Sequence, residues 1–149
     1  MTNYEAKLYD RAVFLAIRPR KAFIFLNNVT SMQALADAIE AANGPSFIAC
    51  YKGRPFGAAG FYPTGKESAE AWAIMSFRGL AHFPFFEDAC KKGLEHGYHI
   101  HGYTYIVARV RQSWIKSIAW LETLGFQRSG VLSYDMPEPM VMMEWVPHV

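Results

Sequence analysis

The chain has 149 residues, of which 52% are hydrophobic and 15% aromatic, enough to bury one core and too apolar for a disordered segment. Its formal charge of +2 is small beside the phosphate neutralisation that nucleic-acid binding requires, so we do not expect a nucleic-acid partner. The longest apolar runs, 12–17 and 22–26, fall short of the roughly 18–20 residues of a membrane span, and no signal-peptide layout precedes them. We therefore expect one domain over residues 1–149, cytoplasmic and without a membrane partner.

The N-terminal third predicts one strand and one helix. Residues 13–19 form an apolar stretch that Pro19 ends, which indicates a first strand. Thr30 and Gln33 fit a capping box, and an apolar stripe at helical spacing follows: Leu35, Ala38, Ile39 and Ala42. Asn43 and the glycine after it end this helix.

The middle of the chain predicts three strands and a second helix. Residues 46–51 and 56–62 indicate a hairpin around the turn 52–55, and residues 71–77 indicate a central strand. Pro84 suits the first turn of a helix that ends at Gly97 and buries Phe86, Ala89, Cys90, Gly93 and Leu94. Both cysteines, Cys50 among them, have apolar neighbours and match no metal or redox spacing, so we expect buried free thiols.

Aromatic residues crowd the start of the second helix. Phe83, Phe85 and Phe86 cannot all face one core, because adjacent helical residues lie about 100° apart. We expect at least one to be exposed, which suggests contact with a protein partner or self-association.

The C-terminal third predicts a long strand, a helix and two short strands. Residues 99–110 are rich in β-forming residues, and period 2 would place His99, His101, Tyr103 and Tyr105 on one face. That face is either a site with a histidine base or, as we favour, a solvated polar strand end; His-x-His lacks a third ligand, so we expect no metal. Ser113 can cap the last helix, Gly125 fits its left-handed end, and strands are expected at 131–134 and 140–145.

This order of elements, together with three segments, resembles the GCN5-related N-acetyltransferase (GNAT) superfamily. The most specific segment is 114–126, in which Glu122, Leu124, Gly125 and Phe126 match the family's helix ending and Ser117 replaces a small alanine. Residues 16–19 resemble the start of the family's first strand, and residues 52–57 resemble its hairpin. The resemblance implies an α/β (α+β) fold with a mixed, mostly antiparallel sheet of about 6–7 strands flanked by helices. More narrowly, the chain resembles small GNAT-like internal virion proteins of short-tailed phages, which would place it in the host cytoplasm or the virion.

The resemblance also implies an acetyl-CoA site, which the sequence keeps only in part. The family binds the pyrophosphate at Arg/Gln-x-x-Gly-x-Gly/Ala, where a helix begins. Here Arg78 matches, whereas Ala81 and Phe83 stand in the glycine positions and Pro84 removes an amide donor. If acetyl-CoA binds, the residues expected against it are Met75, Phe77, Arg78, Gly79, Ala81 and Ser117.

The general acid of the family is a tyrosine, and Leu121 stands in its place, while Trp114 replaces an asparagine that often opens the helix. Substitute catalytic candidates are Tyr134, Tyr105 and His101. Glu67 and Glu70 precede the central strand, where they could lie near a substrate amine or be ordinary solvated turn residues.

Two functions are compatible with these features. The first is a GNAT-type component of a virion, or a partner-binding protein, with degenerate acetyl-CoA motifs and weak or no catalysis. The alternative is an active acetyl-CoA-dependent N-acetyltransferase that acts on a protein or a small-molecule amine.

Overall fold

The computed structural model describes residues 3–18, 31–133 and 139–147. Its strands are β1 (Tyr4–Lys7), β2 (Ser46–Tyr51), β3 (Arg54–Pro63), β4 (Ser68–Met75), β5 (Tyr105–Arg111), β6 (Phe126–Ser133) and β7 (Met140–Trp145). Its helices are α1 (Arg11–Leu15), α2 (Met32–Ala42), α3 (Phe83–His99) and α4 (Ile115–Thr123), with a 3₁₀ helix over Phe77–His82 before α3. No helix in this part of the chain is long and apolar enough to cross a membrane.

The seven strands form one sheet in the order β1-β2-β3-β4-β5-β7-β6. Neighbouring strands are antiparallel, except that β4 and β5 run parallel. Helices α1 and α2 cover one face, where Phe14, Leu35 and Ile39 pack with Ile48 and Trp72. Helices α3 and α4 cover the other face in a second apolar cluster. The expected mixed, mostly antiparallel sheet flanked by helices is confirmed.

The predicted hairpin and the first predicted helix are confirmed. Lys52 and Gly53 both have positive φ, 49° and 79°, which is the geometry of the tight turns that match the twist of two antiparallel strands. Helix α2 ends at Asn43 in the left-handed conformation. At its start the capping residue is Ser31, whose hydroxyl accepts from the Ala34 amide, whereas the predicted cap, Thr30, lies outside the described residues.

The expected strand at residues 13–19 is wrong. Asp10 accepts a hydrogen bond from the Val13 amide and begins α1, which buries Phe14, and Ile17 is buried one turn later. The edge strand β1 lies further upstream and pairs with β2 from Tyr4 opposite Tyr51 to Lys7 opposite Ile48. The run 12–17 is apolar without a clear period, and such a run fits a buried helix as well as a strand.

The expected strand over residues 99–110 is also partly wrong, because α3 runs past Gly97 to His99 and β5 begins only at Tyr105. Gly97 is buried inside the helix, where a Cβ would collide with the ring of Phe61. The glycine therefore serves a close approach of α3 to the sheet and does not end the helix.

The aromatic cluster at the start of α3 is packed more completely than expected. Phe86 is buried, and Phe83 and Phe85 are half-buried, so none of the three is exposed. Phe85 stacks on Tyr4 of β1 with ring centroids 4.7 Å apart. The edge strand therefore covers a side of α3 that would otherwise face solvent.

The end of α4 matches the prediction, and its start does not. Trp114, not Ser113, occupies the N-cap position. Gly125 has φ of 105°, and its Cβ would lie 3.1 Å from Nε1 of Trp145, which donates a hydrogen bond of 3.0 Å to the Leu124 carbonyl. Both the backbone conformation and the contact favour glycine here. Cys50 and Cys90 are buried free thiols, as predicted.

Candidate functional site

The two parallel strands diverge, and the divergence defines the candidate site. β4 and β5 pair through three residue pairs: Ser68 with Tyr105, Ala69 with Ile106, and Glu70 with Val107. Beyond Glu70, β4 continues to pair with β3, and β5 pairs with β7. We call the gap between residues 71–75 of β4 and residues 108–111 of β5 the fork. Ligands of sheets with parallel strands bind at such openings near the carboxyl ends of the strands.

Small side chains line the α3 side of the fork and leave space beside it. Ala71 and Ala73 of β4 and Ala108 of β5 line a cavity of about 420 Å³ between the sheet and helices α3 and α4. Most of the wall is apolar, and the helices contribute Ala89 and Gly93 of α3. The volume lies in the range of ligand pockets in proteins.

Glu70 is the last residue of β4 that pairs with β5, and its side chain is only 8% exposed. Its Oε1 lies 3.7 Å from Nε of Arg109, while its Oε2 is buried with no hydrogen-bond partner in the described part of the chain. Burial raises the pKa of the Glu70 carboxyl, and the nearby guanidinium of Arg109 opposes this in part. The interpretation of Glu70 as a solvated turn residue is therefore wrong, whereas Glu67 is exposed.

A buried carboxyl with a raised pKa is suited to accept a proton near neutral pH. The sequence placed Glu70 before the strand, near a substrate amine at most, and did not indicate it as a catalytic candidate. The alternation of side chains along β4 could have indicated the burial of Glu70. Glu70 shares a strand face with Trp72 and Ile74, and both are buried.

The segment expected to bind a pyrophosphate forms the 3₁₀ helix and the first turn of α3. The Gly79 amide donates to the Ser76 carbonyl at 2.9 Å, and a Cβ on Gly79 would collide with the Met75 side chain. The first turn of α3 has no acidic residue and its N-cap, His82, makes no side-chain capping bond. The helix thus presents the positive end of its dipole without an internal counter-charge.

His82 is fixed in place by aromatic residues. Its Nδ1 and the Tyr4 hydroxyl are hydrogen-bonded at 2.8 Å, and its ring stacks on Tyr51 with centroids 4.4 Å apart. The start of α3 is therefore held against β1 and β2, so the amides at this helix end have a defined position.

The predicted cofactor-binding residues fall into two groups. Met75 and Gly79 are buried and in contact, and Ser117 is buried on α4. The others are exposed on the 3₁₀ helix: Phe77, Arg78 and Ala81. Phe83, expected to crowd the phosphates, turns its ring to Trp120 of α4 at 5.6 Å.

The predicted catalytic residues do not share a strand face. His101 lies in the loop after α3, exposed at the rim of the cavity, and Tyr105 is half-exposed at the start of β5. Tyr103, which was expected on the same face, is buried. Tyr134 lies outside the described residues. Leu121, at the position of the family's acid, is buried in α4 and has no proton to donate.

Within residues 3–18, 31–133 and 139–147, no three His, Cys, Asp or Glu side chains come together as metal ligands would.

Solved acetyltransferases share this fold along most of their length. A chimera of the spermidine N-acetyltransferase SpeG from Vibrio cholerae and hSSAT has a TM-score of 0.73 at 13% identity, with 97% of this chain and 96% of the other covered. A GNAT-family acetyltransferase from Bacillus anthracis has a TM-score of 0.71 at 13% identity, covering 95% and 93%. The ribosomal-protein-S5-alanine acetyltransferase from Vibrio fischeri has a TM-score of 0.69 at 13% identity, covering 99% and 97%. No family model and no curated protein matches the sequence. The chain therefore has the GNAT acetyltransferase fold.

Proposed function

We propose that the chain binds an acyl-CoA thioester in the fork and transfers the acyl group to an amine. The observation that carries this proposal is Glu70, whose buried Oε2 has no partner among the described residues at the point where β4 and β5 diverge. A buried carboxylate oxygen without a hydrogen bond costs free energy, so its presence at the opening of a fork favours a function over packing.

Glu70 would act as the general base. An amine acceptor is protonated near neutral pH and must lose a proton before it attacks the thioester carbonyl. A carboxylate of raised pKa accepts that proton more readily than an exposed one. The charge of Arg109, 3.7 Å from the other carboxylate oxygen, keeps part of the population ionised.

The absence of an acid at Leu121 is compatible with slow transfer. A thiol has an ordinary pKa of about 8.5, so its thiolate leaves without strong acid assistance near neutral pH. We therefore expect a low rate and not a complete loss of chemistry.

The start of α3 would bind the phosphates of the acyl-CoA. Its dipole end lacks an acidic residue, and Arg78 is exposed on the preceding 3₁₀ helix. Pro84 contributes no amide, and the Gly79 amide is already bonded to Ser76, so the site has fewer donors than the family pattern implies. We infer weaker acyl-CoA binding than in a chain with the full glycine motif.

The acceptor class follows from the chemistry that the fold neighbours share. Their names identify spermidine and the alanine of a ribosomal protein as acceptors, and both present an amine. We infer a primary amine as the acceptor here.

Release of CoA thiol in the presence of spermidine or an alanine-terminated peptide tests the proposal. We expect acetyl-CoA consumption by the wild type and at least a 100-fold lower rate for Glu70→Gln. Glu67→Gln is the matched control, because Glu67 is exposed three residues upstream, and its rate should equal that of the wild type. Equal rates for both variants would refute Glu70 as the base.

A second candidate is a partner-binding component without catalysis, such as the virion protein to which the narrower resemblance points. Exposed apolar residues after the carboxyl ends of β4 and β5 favour it: Phe77, 73% exposed, follows β4, and Ile115, 73% exposed, begins α4 after β5. Concentration-dependent association that Phe77→Ser and Ile115→Ser abolish, without any acetyl-CoA binding, would favour this function over transfer.

A further inference from the structure

The apolar cavity beside the fork is larger than an acetyl group needs. It measures about 420 Å³ and reaches from the β4 side of the fork to the C-terminal half of α3. For comparison, an apolar cavity of about 150 Å³ accommodates benzene, with six carbons. By that scale the space corresponds to about 17 carbons, so a chain of about eight to twelve carbons fits with room left unfilled.

The residues that create this space come from three elements. Ala73 of β4 and Ala108 of β5 form the floor, and Ala89 and Gly93 of α3 form the roof. Around Gly93 the packing is loose, because a Cβ there would meet only the edge of Phe47, at 3.9 Å. Larger residues at these positions would close the cavity, so the small side chains maintain an open volume in a core that is otherwise close-packed.

Few polar side chains line the cavity within the described part of the chain, among them Ser46 of β2 and the indole of Trp120 on α4. Lys92, His96 and His101 lie at the α3 end, while most of the floor and the helix side is apolar. An apolar chain in this space would make dispersion contacts with the apolar part of its wall. A polar or charged ligand would find no hydrogen-bond partners along most of the wall.

The cavity opens toward the fork through residues common to both. Ala71, Ala73 and Ala108 line the cavity and belong to the strands that flank the fork. A thioester in the fork would therefore have its acyl carbon next to the cavity entrance. We propose that this cavity is an acyl-chain site, and that the preferred donor is a medium-chain acyl-CoA of about eight to twelve acyl carbons.

This inference rests on the proposed function for the CoA part, and the apolar chain alone tests the cavity independently. Calorimetry would compare acetyl-CoA, decanoyl-CoA and 1-decanol on the wild type, on Gly93→Leu and on Lys91→Leu. Gly93→Leu places a side chain in the cavity and removes a helical glycine, so we expect it to fold and to melt at a higher temperature. Lys91→Leu adds the same residue on the exposed side of α3 as the matched control.

We expect decanoyl-CoA to bind the wild type at least tenfold more tightly than acetyl-CoA, since each buried methylene adds favourable transfer free energy. This preference, and the binding of 1-decanol, should disappear in Gly93→Leu and persist in Lys91→Leu. Equal affinity for the two thioesters would overturn the acyl-chain site and leave the proposed function intact. If neither thioester binds but 1-decanol binds the wild type and not Gly93→Leu, the chain site stands and the proposed function fails. Binding of 1-decanol that Gly93→Leu does not weaken would overturn the site.

Discussion

The indole of Trp120 on α4 lies nearly parallel to the ring of Phe86 on α3, with centroids 6.0 Å apart and an interplanar angle of 21°. A second ring, that of Phe83, lies 5.6 Å from the same indole. These contacts connect the two helices that follow the diverging strands. Trp120 is buried and also lines the cavity beside the fork.

Trp120→Ala should lower the free energy of unfolding by about 3–5 kcal/mol, because it removes a buried aromatic ring and leaves a larger void. Denaturant unfolding measures the change. Ile115→Ala on the same helix is the control, since Ile115 is 73% exposed and should change stability by less than about 0.5 kcal/mol. Similar losses for the two variants would contradict the packing role of Trp120.

Glu70→Gln should stabilise the chain at pH 8 while it removes transfer activity. The pKa of Glu70 is raised in the folded state, so its contribution to stability is present below the ordinary carboxyl pKa and is lost as pH rises through the raised pKa. At pH values above the raised pKa, the folded wild type contains a buried negative charge at Glu70, which the Glu70→Gln variant lacks. We expect a melting temperature about 2–4 °C higher at pH 8, corresponding to about 1 kcal/mol, and little change at pH 4. An equal shift at both pH values would show that ionisation of Glu70 is not the cause.

Gly125→Val should destabilise the chain by about 2 kcal/mol or more. A β-branched residue is strained at φ of 105°, and its side chain would press on the indole of Trp145. Thermal unfolding measures the loss.

Gly93→Ala is the control for Gly125→Val, because Gly93 lies inside α3 with space around it. Alanine there should stabilise the chain by up to about 1 kcal/mol. A Gly125 variant as stable as the wild type would refute the requirement for a positive φ at the end of α4.

The sequence predicted those parts of the fold in which local chemistry and tertiary packing agree. Helix α2 combines a capping serine, an apolar stripe and a left-handed Asn43, and the turn at Lys52 and Gly53 joins two apolar runs. A helix or strand can be recognised in a sequence when its local chemistry and its tertiary packing favour the same structure. The segment before Pro19 gave no such agreement, because its short apolar run fits a strand and a buried helix equally well.

The candidate site was harder to predict than the fold. The segment proposed to bind phosphates follows from a sequence motif, whereas no motif indicates the proposed base, Glu70. The burial of Glu70 depends on the preceding strand β3 and also on β5 and Arg109, which lie far from it in the sequence. The cavity depends on alanines and glycines from separate elements, and small residues carry no individual signal. Such features arise from tertiary contacts and become visible only in three dimensions.

Calorimetric titration with acetyl-CoA tests the central claim most directly, namely that the fork and the start of α3 bind an acyl-CoA. We expect binding with a dissociation constant in the micromolar range and at least tenfold weaker binding by Arg78→Glu, which places a negative charge beside the expected phosphates. Arg128→Glu makes the same charge change at an exposed position on β6, at the far edge of the sheet, and should bind like the wild type. No heat of binding for the wild type, or equal weakening by both reversals, would contradict the claim.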